Sequence, residues 1–310
     1  MKKWKIFRIS IYSFIWLLTL FTWVAPNTNA KTPMQISNGK IVFTSNVDGD
    51  REIYSVNEDG SDFEQLTDND AEDSQPVWSP GGSKIAFVSS RDDPAEYDVF
   101  VMNVDGSNPI NLTSGEGGRN PIWSADSTQI AFERGSGNGV GSDIWLMDAN
   151  GSNQEKIYGD GTQRNIPASW SPDGSQIAFL RSTGDPKPLY ETFFALARMN
   201  PDGSERTSLN YGDVDIGKPD WSPDGQSIVF EVYGAIARMD IASSEIEWLN
   251  RENNNESPRW SPDGQKIVFV HDRHIYTMSA DSSNLALVYE TGDENWSEAP
   301  DWQPIFVPVP

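Results

Sequence analysis

The sequence predicts an all-β fold, a six-bladed β-propeller of four-stranded antiparallel blades, closed by pairing of the N- and C-terminal strands. Three observations predict it. A stretch of the form Trp-Ser-Pro-Asp-Gly-x-x-Ile-Ala-Phe returns at Trp78–Phe87, Trp123–Phe132, Trp170–Phe179, Trp221–Phe230 and Trp260–Phe269. The Trp residues, with Trp302 as the sixth, stand ~45 residues apart, a period that marks propellers and solenoids. A sixth copy is split between the termini: Lys40-Ile41-Val42-Phe43 lacks a preceding Trp, and Pro300-Asp301-Trp302 lacks a following strand. Those halves meet only if the array closes on itself.

Residues 1–30 differ in kind from the rest. Lys2, Lys3, Lys5 and Arg8 precede the apolar run Ile9 to Val24, and Thr28-Asn29-Ala30 supplies small residues at a cleavage site, the layout of a secretory signal peptide. The run is shorter than the ~20 residues of a spanning helix. The expected division is therefore a signal peptide at 1–30, a short linker at 31–38, the propeller at 39–303 and an extended tail at 304–310. The mature chain is expected to be periplasmic or secreted.

Each repeat then follows one plan. The Trp ends a first strand, and Ser-Pro-Asp-Gly places proline second and glycine fourth in a type I turn. Ile-Ala-Phe alternates as a half-buried strand should. Third strands follow at Ile53–Asn57, Val99–Asn103, Ile144–Asp148, Leu196–Asn200, Ile236–Asp240 and Ile275–Ser279. Turns, with Asp59-Gly60, Asp105-Gly106, Asn150-Gly151 and Asp202-Gly203 in four of the repeats, lead on to shorter fourth strands at Phe63–Thr67, Ile110–Thr113, Glu155–Tyr158, Thr207–Asn210, Ile246–Leu249 and Leu285–Tyr289. A lone sheet of this size cannot bury both faces, so the repeats must pack against one another.

Two copies depart from the turn pattern. Gly81-Gly82 replaces Asp-Gly, and Ala125-Asp126-Ser127 replaces Pro-Asp-Gly, so both turns are expected to be looser. The longest interval, from Trp170 to Trp221, carries an added loop over Arg181–Thr192. Prolines at 304, 308 and 310 are expected to stop the last strand and leave the tail on the surface.

The repeated Trp-Ser-Pro-Asp-Gly-x-x-Ile-Ala-Phe stretch, the third strand ending near Met-Asn or Met-Asp, and the Leu-Thr-like outer strand closely resemble the TolB-like propellers of the wider WD-type group. The resemblance covers about residues 39 to 303. It implies that the Trp strand is innermost, that the propeller mediates protein contacts, and that one channel mouth receives partner segments. The family's namesake has an α/β domain ahead of its propeller, for which the stretch between Ala30 and the first strand leaves no room.

Composition narrows the partners. The chain has 310 residues, no cysteine, 23 basic and 46 acidic residues, and a net charge of −23 that becomes −27 without the first four cations. Such a surface repels nucleic acid and anionic membranes. Stability must come from packing without disulfides, and a monomer is expected.

Residues suited to catalysis are few. The two histidines, His271 and His274, share one short strand connection, and no Gly-x-Ser-x-Gly is present. The glycine run Gly135–Gly141 fails the spacing of a nucleotide loop. Asp68-Asn69-Asp70-Ala71-Glu72 begins like a calcium loop but lacks its later glycine and glutamate. No cofactor is expected, although a divalent cation shared among blades inside the channel would leave no contiguous motif.

The connections running into each Trp strand are more informative, because all six converge on one face around the axis. They nominate Asp73, Arg119, Asn120, Arg164, Asn165, Asp215, Lys218, Asn255, Glu256 and Glu298 as residues lining a partner-binding mouth. Trp78, Trp123, Trp170, Trp221, Trp260 and Trp302 are expected to be structural. The expected function is non-catalytic binding of a protein or peptide segment at that mouth. Two alternatives stand beside it: a polysaccharide lyase or glycan hydrolase using carboxylates among Asp73, Asp215, Glu256 and Glu298, and a carbohydrate-binding scaffold stacking sugars on Trp296, Tyr190 and Tyr211.

Overall fold

The computed structural model describes residues 34–137, 141–183, 193–209, 216–292 and 294–308. The predicted signal peptide, most of the Arg181–Thr192 loop, Asp215, Tyr190 and Tyr211 lie outside these residues.

The described residues form six four-stranded antiparallel sheets. Counting from the axis outward, blade 1 orders Asp73–Trp78, Lys84–Ser89, Asp98–Asn103 and Ile110–Asn111. Blades 2 to 5 repeat that order behind the inner strands Arg119–Trp123, Asn165–Trp170, Ile216–Trp221 and Asn255–Trp260. Blade 6 joins the termini. Its inner strand Ser297–Pro308 pairs with Met34–Ser45, which pairs with Glu52–Val56 and then Glu64–Gln65. Trp302 stands opposite Ile41, so the split repeat is completed as its halves require.

The reason the repeat needs its residue types is visible in the core. Six apolar clusters each bridge two neighbouring blades, and the last one, between blades 5 and 6, closes the ring. In Ile-Ala-Phe the outer two side chains share a cluster with the blade behind, whereas the small middle residue faces the blade ahead. Ala86, Ala131 and Ala178 thus share clusters with Trp123, Trp170 and Trp221. A small side chain there makes room for an indole. The Phe residues at 43, 87, 132, 179, 230 and 269 are at most 1% exposed.

The Ser-Pro-Asp-Gly turn also explains its own letters. Ser171 O accepts from Gly174 N at 2.9 Å, closing the turn, and Gly174 takes the left-handed φ of 72° that favours glycine. Ser171 Oγ donates to Asp173 Oδ1 at 2.6 Å and accepts from Gln176 N at 2.9 Å, locking turn to strand. The two departing copies are not looser. Gly82 N and Ser127 N each reach the serine carbonyl at 2.8 Å, and Ser127 adopts φ 61° despite its side chain. The strand ladders on either side dictate closure even where the local residues are poor.

The tail corrects a second expectation. The last strand continues past Pro304 to Pro308, pairing with Met34–Asn38, so part of the predicted linker is strand as well. Blade 6 has no hairpin turn at this end, which leaves both chains free to run on as a two-stranded ribbon. Its prolines do not stop it, because a strand with one unpaired edge tolerates residues that cannot donate. The ribbon exposes Met34, Ile36, Ile305, Phe306 and Val307.

Candidate binding channel

Every inner strand runs from one mouth of the axial channel to the other. Its first residues come from the connections the sequence nominates, here termed the incoming mouth. In blades 1 to 5 its last residue is the Trp, which marks the tryptophan mouth; in blade 6 the strand runs on past Trp302.

At the incoming mouth the nominated residues divide by their distance ahead of Trp. Five residues ahead, side chains turn into the seams between blades. Asp73 is fully buried and accepts from Arg91 Nη2 at 2.6 Å and Asn69 Nδ2 at 2.8 Å. Asn165 donates to Ser142 O at 2.9 Å, and Asn255 donates to Gly234 O at 2.8 Å, each tying its blade to the one behind. Asn255 Oδ1 also meets His271 Nδ1 at 3.0 Å, and His274 Nδ1 accepts from Thr291 N at 3.0 Å. Both histidines are thus engaged in holding loops.

Glu52, across the seam from Asp73, accepts from Asn69 N at 2.7 Å. Burial pushes its carboxyl up to about 8, and the hydrogen bond and negative charge of Asp73 add to that. The joint between blades 6 and 1 thus holds, in Glu52, a carboxyl raised by burial beside a second acid.

Four residues ahead of Trp, Arg119 and Glu256 are exposed and Glu298 half-buried. The Arg119 guanidinium lies over the Tyr97 ring at 4.1 Å, and Arg51 lies over Trp296 at 4.8 Å, with Glu298 at 4.0 Å from it. Arg164, two places further out at six residues ahead of Trp170, pairs with Glu133 of the neighbouring blade at 3.2 Å. Aromatic planes and acids hold these cations around the opening.

Three residues ahead, the strands bulge. Gln75, Asn120, Lys218, Ser257 and Ala299 have φ of 54°, 49°, 35°, 54° and 50°, and in blades 1, 2, 4 and 5 the ladder register slips across them. A bulge adds a residue on one strand and re-aims its side chain. All five residues line a narrow chamber of about 50 Å³ at the waist of the channel, with the Asn120 side chain held by Glu133 Oε2 at 2.6 Å.

The residue immediately ahead of each Trp was not nominated, yet it forms the floor of the tryptophan mouth. In blades 4, 5 and 6 these are Asp220, Arg259 and Asp301. Asp220 Oδ1 pairs with Arg259 Nη1 at 3.2 Å, and its Oδ2 accepts from Trp260 N at 2.8 Å. Asp301 Oδ2 accepts from Trp78 N at 2.7 Å. Burial raises both carboxyls, that of Asp301 to about 7, with Arg259 pulling the other way. The signal that could have found them is the period of two that relates this position to the bulged one.

Above that floor opens a vestibule of about 420 Å³. Its walls include Trp78, Trp123, Trp170 and Trp302, and the closing ribbon adds Ile36 and Phe306 at the rim. The tryptophans therefore do two things: they fill the seams, being at most 9% exposed, and they edge an apolar cup.

Comparison with known proteins agrees with this geometry. The TolB β-propeller domain family matches residues 28–191, 75–236 and 119–305. A TolB homologue of Chlorobium luteolum is 42% identical over 55 residues, 18% of this chain and 13% of that protein. TolB of Acinetobacter baumannii superposes with a TM-score of 0.69 at 19% identity, covering 86% of this chain and 66% of that one. An oligogalacturonate lyase of Vibrio parahaemolyticus superposes at 0.54 and 16% identity, covering 82% and 75%. At such identities the likeness of the solved structures is one of fold. The repeat, the closed ring and the family match over nearly all of the described residues lead to one conclusion: this chain belongs to the TolB β-propeller domain family.

Proposed function

We propose that this propeller is an exported, non-catalytic binding protein that takes a segment of a protein partner into its axial channel. The observation that carries the reading is the vestibule, an apolar cup whose few polar groups converge on its floor, which is the composition of a site that seats a ligand by shape and orients it by charge. The TolB relationship favours a protein as the occupant. The lysine- and arginine-rich N-terminus with its following apolar run supports export.

Of the residues nominated from sequence, Arg119, Lys218, Glu256 and Glu298 are the ones this reading assigns to the channel or its incoming mouth, while the Asn120 amide is engaged by Glu133. Asp73, Asn165 and Asn255 serve the seams. The anchoring end is the tryptophan mouth, and the nominated residues read whatever part of the segment reaches the far side.

Affinity capture from extracytoplasmic extract with the wild-type chain and two double variants tests this. Ile36→Asp with Phe306→Asp should abolish recovery of the partner, and Arg119→Glu with Glu256→Lys should weaken it by less than tenfold. Recovery unchanged by the first pair would reject the vestibule as the seat.

A further inference from the structure

We propose that the chamber at the waist of the channel is a carboxylate-binding site formed by Lys218, Arg259, Gln75 and Ser257. The chain carries 46 acidic residues against 23 basic ones, yet among the described residues the chamber's lining contains Lys218 and Arg259 and no Asp or Glu. Cations gathered in an enclosed space, in a molecule of the opposite charge, call for an anion.

The hydrogen-bonding inventory points the same way. Lys218 Nζ makes no hydrogen bond or ion pair with any described residue, and its backbone holds a left-handed φ of 35° that aims it at the axis. A side chain other than glycine adopts such a backbone at a cost, which marks the position as fixed by its surroundings. Among the described residues Arg259 uses only Nη1, donating to Asp220 Oδ1 and Ala168 O, each at 3.2 Å. Its Nη2 and Nε are left to serve another acceptor. Gln75 accepts through Oε1 from Asn120 N at 2.8 Å, and neither its Nε2 nor the Ser257 hydroxyl donates to another of the described residues. Two cations and two neutral donors thus face one small volume.

Size selects the anion. A chamber of about 50 Å³ admits a group of a few heavy atoms, given the ~10–15 Å³ that one water occupies on the same scale. A carboxylate fits that volume and accepts from several donors at once. Charges nearby do not forbid it. Asp220 is matched by Arg259, and burial pushes Asp301 up to about 7, so near neutral pH it carries only part of a negative charge. Glu298, Glu256 and Glu231 favour the charge on Lys218 from a distance, against the burial and the Arg259 charge that lower its pKa. The chamber shares Arg259 with the vestibule, so a carboxylate can arrive as a free small acid or as the end of a chain. The site stands whether or not a protein segment fills the vestibule.

Calorimetric titration of the full chain with acetate, and with acetamide as the uncharged counterpart, tests it. Acetate should bind and acetamide should not. Lys218→Met should weaken acetate at least tenfold while Lys218→Arg keeps it within about threefold, with thermal melts showing both variants folded. A pentapeptide with a free C-terminus that competes with acetate and binds at least tenfold tighter than its C-terminal amide would assign the carboxylate to an inserted chain; equal binding of the two peptide forms would assign it to a free small acid. Heats for acetate matching those for acetamide, or a folded Lys218→Met variant that binds acetate like the wild type, would overturn the proposal.

Discussion

Asp301 concentrates the conflict that a channel residue must resolve. Its carboxylate closes the backbone of Trp78 in the next blade, and the same burial makes its charge costly. The folded pKa of about 7 lies above the ordinary 3.8, so the folded chain keeps a proton that the unfolded chain releases. Stability from that proton is complete below the unfolded value and is lost as pH rises through about 7. Asp301→Asn keeps an acceptor for Trp78 N and removes the titration. Its melting temperature should therefore change less between pH 5 and pH 8 than that of the wild type; an unchanged slope would mean that Asp301 is not protonated in the fold.

The turn serine offers a second test at this scale. Ser171 is 5% exposed and bonds both Asp173 and Gln176 N, so Ser171→Ala should cost about 1–2 kcal/mol in urea denaturation. Proline second and glycine fourth were legible as a turn. The bracing by serine and aspartate was not, because the same letters occur in turns that lack it. Nor did the sequence disclose that Gly81 and Ser127 would be held in the common conformation, since the restraint comes from paired strands rather than from neighbours in the chain.

At the scale of the element, strand order followed from the repeat, the inner position of the Trp strand from the resemblance to TolB-like propellers, and the split copy foretold blade 6. The bulge did not follow. A residue with positive φ just ahead of proline has no common marker in Gln75, Asn120, Lys218, Ser257 or Ala299, since of these only Asn120 is of a type that tolerates that conformation well. This is why ten mouth residues were nominated together, although the five-ahead side chains turn into the seams and the three-ahead residues line the waist. The closing ribbon was missed for a similar reason: prolines forbid a central strand, and this one has an open edge.

Two predictions belong here. Ala178 shares its cluster with Trp221 of the next blade, so Ala178→Leu should overpack the seam and cost about 1–3 kcal/mol by chemical denaturation. Glu52, in the joint between blades 6 and 1, titrates too. Because burial lifts Glu52 from 4.5 to about 8, its contribution is present at low pH and is lost as pH rises through about 8. Glu52→Gln should flatten the fall in melting temperature between pH 6.5 and pH 9; an identical fall would show that the joint holds no proton.

For the molecule as a whole, closure was the most legible property, since a repeat missing a strand at one end and carrying a spare at the other has one economical solution. Closure also creates what no single repeat contains: a channel with an apolar cup at one end, a narrow waist and a mixed-charge opening at the other. The sequence placed the partner at the charged opening because polar, irregular connections attract attention there, while the tryptophans read as packing. In three dimensions their edges, together with Phe306 and Ile36 of the ribbon, make the larger concavity.

That assignment can be checked by site-specific photocrosslinking in cells producing the protein, with a benzophenone amino acid placed at Phe306 on the vestibule rim or at Ile110, which is 60% exposed on an outermost strand. The account predicts adducts to a single partner segment from position 306 and none from position 110. Adducts from 110 with none from 306 would place recognition on the outer edge of the blades and contradict it.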